Sequence, residues 1–277
     1  MFFKFLRFDI LNGILAQYKK FILEFLMFVA IGVMYSMKYL NALNTQEIVR
    51  AEGATVGDYL LFFIAGIPVY DPKDQEQFMF PVLWLLVILT AAFFCLYYPY
   101  ENLKQSGRTM LYLSNSRSVW WFSKCTWVTC SVAVFFIIAY FATALIAVIS
   151  GARLTLETTT YSPYLIGFGV RSLKDGPWNI LPLLFALPFI TLAACLLQLT
   201  LSMVFKPIFS YIAASMLLLA SSYFSTPLLI GNYAMAARSS YFMEGGFELP
   251  VGIILAAVLI TASVLVGWGV FKRKDVF

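Results

Sequence analysis

Residues 99–124 read PYENLKQSGRTMLYLSNSRSVWWFSK and separate two long apolar runs. The charged side chains of this stretch are the acid Glu101 and the bases Lys104, Arg108, Arg117 and Lys124. Lysine and arginine near the ends of membrane spans resist translocation, so a basic stretch of this length is predicted to be cytoplasmic. Residues 101–105 and 108–113 favour helix. We therefore predict a short cytoplasmic helix broken at Ser106 and Gly107, with a plain solvated connection as the alternative.

Composition places the whole chain in a membrane. Its 277 residues are 61% hydrophobic and only 12% charged, with a mean hydropathy of +0.84. Soluble domains are about half apolar and a quarter charged. The chain is therefore predicted to be an all-α, polytopic membrane protein. Its net charge of +5 follows the ends of the apolar runs, so no nucleic-acid partner is expected.

The apolar pattern predicts six membrane-spanning helices in a single domain covering residues 1–277. The predicted spans are residues 21–39, 78–98, 125–149, 180–205, 207–223 and 249–271. The fourth and fifth are divided at Lys206 and Pro207, because proline disfavours helix at the residue before it. Most basic residues then fall inside and most acids outside, which predicts that both termini are cytoplasmic in a plasma-membrane protein.

Three features flank the inner ends of these spans. Residues 1–20 mix apolar and charged positions and predict an amphipathic helix in the inner interface, with a ragged extension as the alternative. Glu24 follows Lys20 by one helical turn, so we expect these side chains to pair near the interface, with a buried functional carboxylate as the alternative. Lys124 is predicted to mark the inner boundary of the third span.

Two apolar segments on the outer side are too short to cross the bilayer. Residues 59–69 have about half of the ~20 residues that a span needs, and we expect them to lie on or dip into the outer leaflet. Residues 225–248 contain a second short apolar segment bounded by Pro227 and two glycines. This region is predicted to form an outer re-entrant or interfacial hairpin before the last span.

Several kinds of chemistry are absent from the sequence. There is no histidine, the four cysteines have no metal-type spacing, and no stretch matches the phosphate-binding loop G-x-x-x-x-G-K-[ST]. No metal site, cofactor or ATPase activity is therefore expected in this chain. Apart from Glu24, the predicted span interiors hold no ionisable residue of the kind that marks proton relays. This argues against a proton-coupled carrier, although neutral polar groups could still bind sodium.

The fifth span is rich in small residues, which let membrane helices approach closely. The candidates for a subunit interface there are Ser210, Ala214 and Ser215. Packing within the chain is the alternative role for these side chains.

The order of elements resembles that of type-2 ABC exporter permeases. FPVLWLL (80–86), YPYENLKQSG (98–107), SRSVWWFSKCTWV (116–128), PLLIGNYAMAARS (227–239) and the terminal FKRKDVF carry the resemblance. They are similar to a bacterial branch that includes exporters of amphipathic peptides such as phenol-soluble modulins. The resemblance implies an exporter of amphipathic or hydrophobic cargo, with two copies of a separate ATPase subunit that bind ATP and magnesium. A second permease copy, identical or related, would complete the complex among membrane lipids.

The resemblance also assigns a docking role to the basic stretch. Residues 101–113 would contain the coupling helix that contacts the ATPase. Its candidate docking residues are Glu101, Lys104, Gln105, Arg108, Met110, Leu111 and Tyr112. The competing functions are a sodium-coupled or passive carrier and a membrane scaffold without transport. ATP-dependent flux with a copurifying ATPase would favour the exporter, flux along an ion gradient the carrier, and no flux the scaffold.

Overall fold

The computed structural model of the chain describes residues 1–45, 47–70, 78–114, 116–168 and 173–273. Residues 71–77, before the predicted second span, and residues 274–277 of the terminal FKRKDVF lie outside this part. The described regular structure is helical, with only isolated β-bridges besides. The helices are α1 (Phe2–Gly13), α2 (Tyr18–Thr45), α3 (Glu47–Glu52), α4 (Val56–Ile64), α5 (Val82–Phe94), α6 (Tyr98–Lys104), α7 (Ser106–Ser114), α8 (Arg117–Ile149), α9 (Ser162–Ile166), α10 (Leu181–Ser202), α11 (Pro207–Tyr223) and α12 (Leu249–Arg273).

Five helical segments of the described chain are long and apolar enough to cross a membrane. They are Phe2–Thr45, Val82–Lys104, Arg117–Ile149, Leu181–Ser202 and Leu249–Arg273. This confirms the prediction of an all-helical polytopic membrane protein. Helix α11 occupies the predicted fifth span, but its 17 residues extend only about 25 Å, less than the ~30 Å hydrocarbon core.

Helix α8 is the centre of the packing. It contacts α1, α2, α4, α10 and α12, and its three tryptophans Trp120, Trp121 and Trp127 are buried. The Trp121 indole N–H donates to the Val264 carbonyl at 2.9 Å. Close approach here depends on Gly267, since a Cβ at that position would fall on the Trp121 ring. The aromatic side chains of α8 thus fix where α12 lies.

The segment around residues 59–69 differs from its prediction. Helix α4 is buried on every side and packs against α2, α5 and α8. Thr55 and Asp58 form a capping box at its start, which satisfies backbone groups that would otherwise be costly to bury. A lipid-facing segment lying on the outer leaflet does not fit this burial, because the short apolar helix is covered by protein. The alternative of a segment that dips into the outer leaflet stays a prediction.

The segment before the last helix is also buried. Short 3₁₀ turns at Ile230–Ala234 and Ala236–Arg238 carry buried residues throughout. The first turn packs against α10, α11 and α12. It thus enters the bundle rather than lying beside it.

Candidate functional site

The predicted coupling region is a pair of short helices, α6 and α7, between α5 and α8. The chain breaks at Gln105, whose φ and ψ of −113° and −116° are not helical; this is one residue before the predicted break. Gly107 lies against the preceding turn, and a Cβ there would come within 2.5 Å of the Asn102 carbonyl oxygen. Glycine is therefore required for the two helices to meet at this angle.

The candidate docking residues divide by exposure. Leu111 is buried within its own chain and Met110 is half-buried, whereas the Tyr112 side chain is 76% exposed. The exposed polar candidates are Glu101, Lys104, Gln105 and Arg108. The structure thus presents a charged surface with one large aromatic side chain and uses Leu111 to hold α7 against the bundle. Docking on a partner stays a prediction for all seven residues.

Side-chain contacts connect α6 to the start of α8 and, through Trp120, to the end of α12. The Trp120 indole N–H of α8 donates to the Asn102 side-chain oxygen at 3.2 Å, and the Trp120 ring stacks on Phe271 of α12 at 4.5 Å. Beside them, the guanidinium of Arg117 donates to the Lys272 carbonyl at 2.9 Å. A displacement of α6 would therefore move α8 and, through the Trp120 ring, α12.

The N-terminal helix is joined to the same end by a buried ion pair. Asp9 of α1 pairs with Lys124 of α8, and both side chains are about 2% exposed or less. Asp9 also accepts from Ser123 Oγ at 2.6 Å and from the Tyr98 hydroxyl of α6 at 2.9 Å. The residues predicted as an interfacial helix do form a helix. Lys124 is therefore covered by protein and paired with Asp9, and its position at the inner boundary of the third span stays a prediction.

Glu24 also differs from its prediction. Its side chain is only 1% exposed, and neither carboxyl oxygen has a hydrogen-bond partner in the described part of the chain. Lys20 lies instead over the Phe94 ring, 6.0 Å from its centroid. The expected Lys20–Glu24 pair is therefore not formed.

The predicted interface residues of the fifth span face the interior of the chain. Ser210 and Ala214 of α11 are buried, and Ser215 is half-buried with its hydroxyl lacking a described partner. The exposed side of this helix carries Phe209, Ile212 and Met216. For Ser210 and Ala214 this burial matches the alternative of packing within the chain; a subunit contact through α11 stays a prediction.

The opposite end of the bundle contains a carboxylate network that the sequence did not reveal. Asp58 accepts from the Thr159 N–H at 2.8 Å and from the Thr55 N–H at 2.9 Å, and Glu52 accepts from the Thr160 N–H at 2.9 Å. Burial raises the pKa of Asp58, and the N–H groups oppose that rise. These bonds connect α3 and α4 to the segment after α8, and their only sequence signal was the capping pattern of Thr55 and Asp58.

Arg238 is a buried cation at this end with no described acid partner. Its guanidinium donates to the carbonyls of Ile67 at 3.0 Å, Pro68 at 3.3 Å, and Ser221 and Ser222 at 2.6 Å each. It also donates to the Asn232 side-chain oxygen. Burial lowers the pKa of Arg238 to about 10, which leaves it charged at neutral pH. All of its donors are used within the chain, so Arg238 serves structure rather than ligand binding.

An open cleft of about 380 Å³ lies beside this carboxylate network and is lined by Glu52, Arg153, Glu157 and several threonines. Among the residues that the structure describes, no group of three or more histidine, cysteine, aspartate or glutamate side chains is placed to hold a metal ion.

Comparison with known proteins assigns a family without a known activity. Residues 28–277 match the model of a family described as "Protein of unknown function (DUF2705)", and the chain belongs to that family. No curated protein and no solved structure matches the chain. The family match covers α8, α6, α7 and most of α2, and it begins after α1.

Proposed function

We propose that the chain is the membrane-spanning permease subunit of an ATP-driven ABC exporter. A separate ATPase subunit, in two copies, binds ATP and magnesium, and a second permease copy or a related permease completes the path. The cargo is amphipathic or hydrophobic, with peptides as one class. The chain lies in the bacterial plasma membrane with both termini in the cytoplasm.

The observation that carries the proposal is the construction of α6 and α7. They form a two-helix element between two long apolar helices, with a charged and aromatic outer face. Buried hydrogen bonds connect this element to α1 and α8, and the Trp120 ring of α8 in turn stacks on Phe271 of α12. An element that receives motion from a partner must be accessible on one side and firmly attached to moving helices on the other, and this one has both properties.

Charge distribution supports the proposed orientation. The end of the bundle that carries α6 and α7 also carries Lys206, Lys272 and Arg273, together with the first residues of α1. Glu47, Glu52, Glu157 and Glu244 lie at the other end together with Arg153 and Arg238, whereas Asp9 and Glu101 are the acids beside α6 and α7. This asymmetry follows the positive-inside bias of membrane proteins.

Reconstitution tests the class directly. Purified chain in lipid vesicles, with and without an ABC ATPase subunit that copurifies with it, is assayed for uptake of a fluorescent amphipathic peptide. ATP-dependent accumulation that requires the ATPase supports the exporter. Flux driven by a sodium gradient without ATPase would identify the carrier alternative, and absence of flux under both conditions would favour the scaffold.

Cysteine labelling tests the orientation. In a background lacking the four native cysteines, single cysteines replace exposed Thr109 of α7 and exposed Leu154 beyond α8. An impermeant thiol reagent on whole cells is expected to label position 154 and to reach position 109 only after lysis. The reverse pattern would invert the topology and remove α6 and α7 from the reach of a cytoplasmic ATPase.

A further inference from the structure

Glu24 lies at the junction of three helices inside the bundle. On α2 it follows Phe21 by three residues and precedes Phe28 by four, so all three side chains share one face. The Phe21 ring contacts Phe94 at 6.1 Å, and the Phe28 ring contacts Phe135 at 5.7 Å. Phe94 and Phe135 themselves meet at 5.9 Å. These rings join α2, α5 and α8 above and below the carboxyl group.

Two polar groups on α8 close to this junction in sequence also lack partners. Ser131 lies one turn before Phe135 on α8, and Trp127 lies one turn before Ser131. In the described part of the chain, the Ser131 hydroxyl and the Trp127 indole N–H have no hydrogen-bond partner, as is true of both Glu24 oxygens. The Trp127 ring packs against Tyr98 at 4.6 Å, and Tyr98 donates to Asp9. The unpartnered groups of Ser131 and Trp127 thus lie along α8 between the level of this junction and the end that carries α6 and α7.

No described cation faces Glu24 at pairing distance. Lys20 on α2 lies over Phe94, and Lys124 on α8 is paired with Asp9. The other titratable groups on these neighbouring elements are as follows: Cys95 after α5; Tyr98, Tyr100, Glu101 and Lys104 on α6; Arg117, Cys125, Cys130 and Tyr140 on α8; and Tyr59 and Asp58 on α4. The Asp58 carboxylate is bound by Thr55 and Thr159.

An isolated ionised carboxylate is costly to bury away from donors, and ionisable residues inside membrane spans commonly mark ion or proton sites. A proton needs no cavity, and it converts the carboxyl group into a donor that can reach a neighbouring hydroxyl. A metal cation would need more oxygen ligands than one carboxylate and one hydroxyl supply.

We propose that Glu24 is a proton-binding site between α2, α5 and α8. An O–H bond forms at the Glu24 carboxylate with a proton taken from water at the end that carries α6 and α7. The same bond breaks when the proton returns to water, and Ser131 and Trp127 mark the route of exchange. The site does not depend on the proposed exporter function, and a proton bound here could bias any motion that separates α2 from α8.

Infrared difference spectroscopy of the chain alone in lipid nanodiscs tests the proposal without an ATPase. Wild type is expected to show the C=O stretch of a protonated carboxylic acid, and that band is lost in Glu24→Gln. Glu101→Gln, at an exposed position on α6, is the matched control and keeps the band. In heavy water the band is expected to shift as the proton exchanges with solvent. Replacing potassium by sodium should leave it unchanged.

Each contrary result overturns the proposal. A Glu24→Gln spectrum that loses only an ionised carboxylate band would mean that no proton is bound. A protonated band that never shifts in heavy water would mean a sealed, static acid, and loss of the band with sodium would replace the proton by a cation. If Glu24→Gln does not fold, Glu24→Asp is measured instead, and an unmoved band would show that another acid produces it. None of these outcomes changes the test for ATP-driven flux.

Discussion

The carboxylate of Asp9 and the ammonium of Lys124 form a buried ion pair that joins α1 to α8 across 115 residues of sequence. Ser123 and Tyr98 complete the site by donating to the same carboxylate. Since Tyr98 begins α6, one acid connects the N-terminal helix, the central helix and the proposed docking element. The first helix is therefore an integral part of this end of the bundle.

Removal of either partner of this pair is expected to destabilise the fold strongly. An uncompensated charge in a buried site typically costs about 3–5 kcal/mol, so Lys124→Met and Asp9→Asn should each lower the midpoint of thermal unfolding in detergent. The double variant should lose less stability than the sum of the two single variants, because it leaves no lone charge. Lys104→Met, at an exposed position on α6, is the control and should change the midpoint little. Equal midpoints for Lys124→Met and Lys104→Met would contradict a stabilising role for the pair.

Arg238 gives a second prediction at the opposite end. Its guanidinium satisfies the last carbonyls of α11 and those of Ile67 and Pro68. Each buried acceptor left without a donor costs about 1–3 kcal/mol, so Arg238→Met should destabilise severely. Arg238→Lys should fall between wild type and Arg238→Met, because an ammonium keeps the charge but not the planar fork.

The measurement for Arg238 is protease resistance of the folded chain in nanodiscs, with Arg153→Lys as the control at an exposed arginine of the same end. Cleavage is expected first near the turns at Ile230–Ala234, which Arg238 connects to α11. If Arg238→Met resists protease as well as Arg153→Lys does, the carbonyl network contributes little to stability.

Hydropathy predicted the long membrane-spanning helices, which depend on local composition. It could not predict which short segments and charged side chains are buried, because burial depends on contacts between residues distant in sequence. The fourth and sixth spans were predicted within a few residues of Leu181–Ser202 and Leu249–Arg273, because long apolar runs specify helices of membrane length. The same measure could not show that residues 59–69 are covered by protein, since it cannot distinguish lipid from a protein interior. Charge counting likewise could not show that Lys124 and Arg238 are buried, because most of their partners lie far away in sequence.

Helix α11 provides a matched pair for the question of subunit contact. Ala214 is buried within the chain, whereas the adjacent Ala213 is exposed. Ala214→Trp should overpack the interior, at a cost of about 1–3 kcal/mol or more, and should lower stability whatever the oligomeric state. Ala213→Trp should leave folding intact and should weaken dimer formation only if the exposed face of α11 meets another subunit. Crosslinking in membranes measures this, and an unchanged dimer yield in Ala213→Trp would place the contact elsewhere.

The last prediction concerns docking of the ATPase on α7. Tyr112 is exposed and large, a type of side chain that often dominates binding energy at interfaces, while Leu111 is buried in its own chain. Tyr112→Ala should therefore weaken binding of the ATPase by about 1–3 kcal/mol, which lowers its recovery in a pulldown. The thermal midpoint of the permease should not fall. Leu111→Ala should reduce the free energy of unfolding by about 2–5 kcal/mol and so lower the thermal midpoint. It should affect docking only by loosening the attachment of α7 to the bundle.

Arg108→Glu should weaken recovery of the ATPase more at low salt than at high salt, because exposed charges are screened at high salt. Tyr164→Ala, at an exposed tyrosine of the opposite end, is the matched control and should recover the ATPase normally. If Tyr112→Ala and Arg108→Glu both keep full recovery and ATP-driven transport, the exposed face of α6 and α7 is a solvated connection rather than a docking surface.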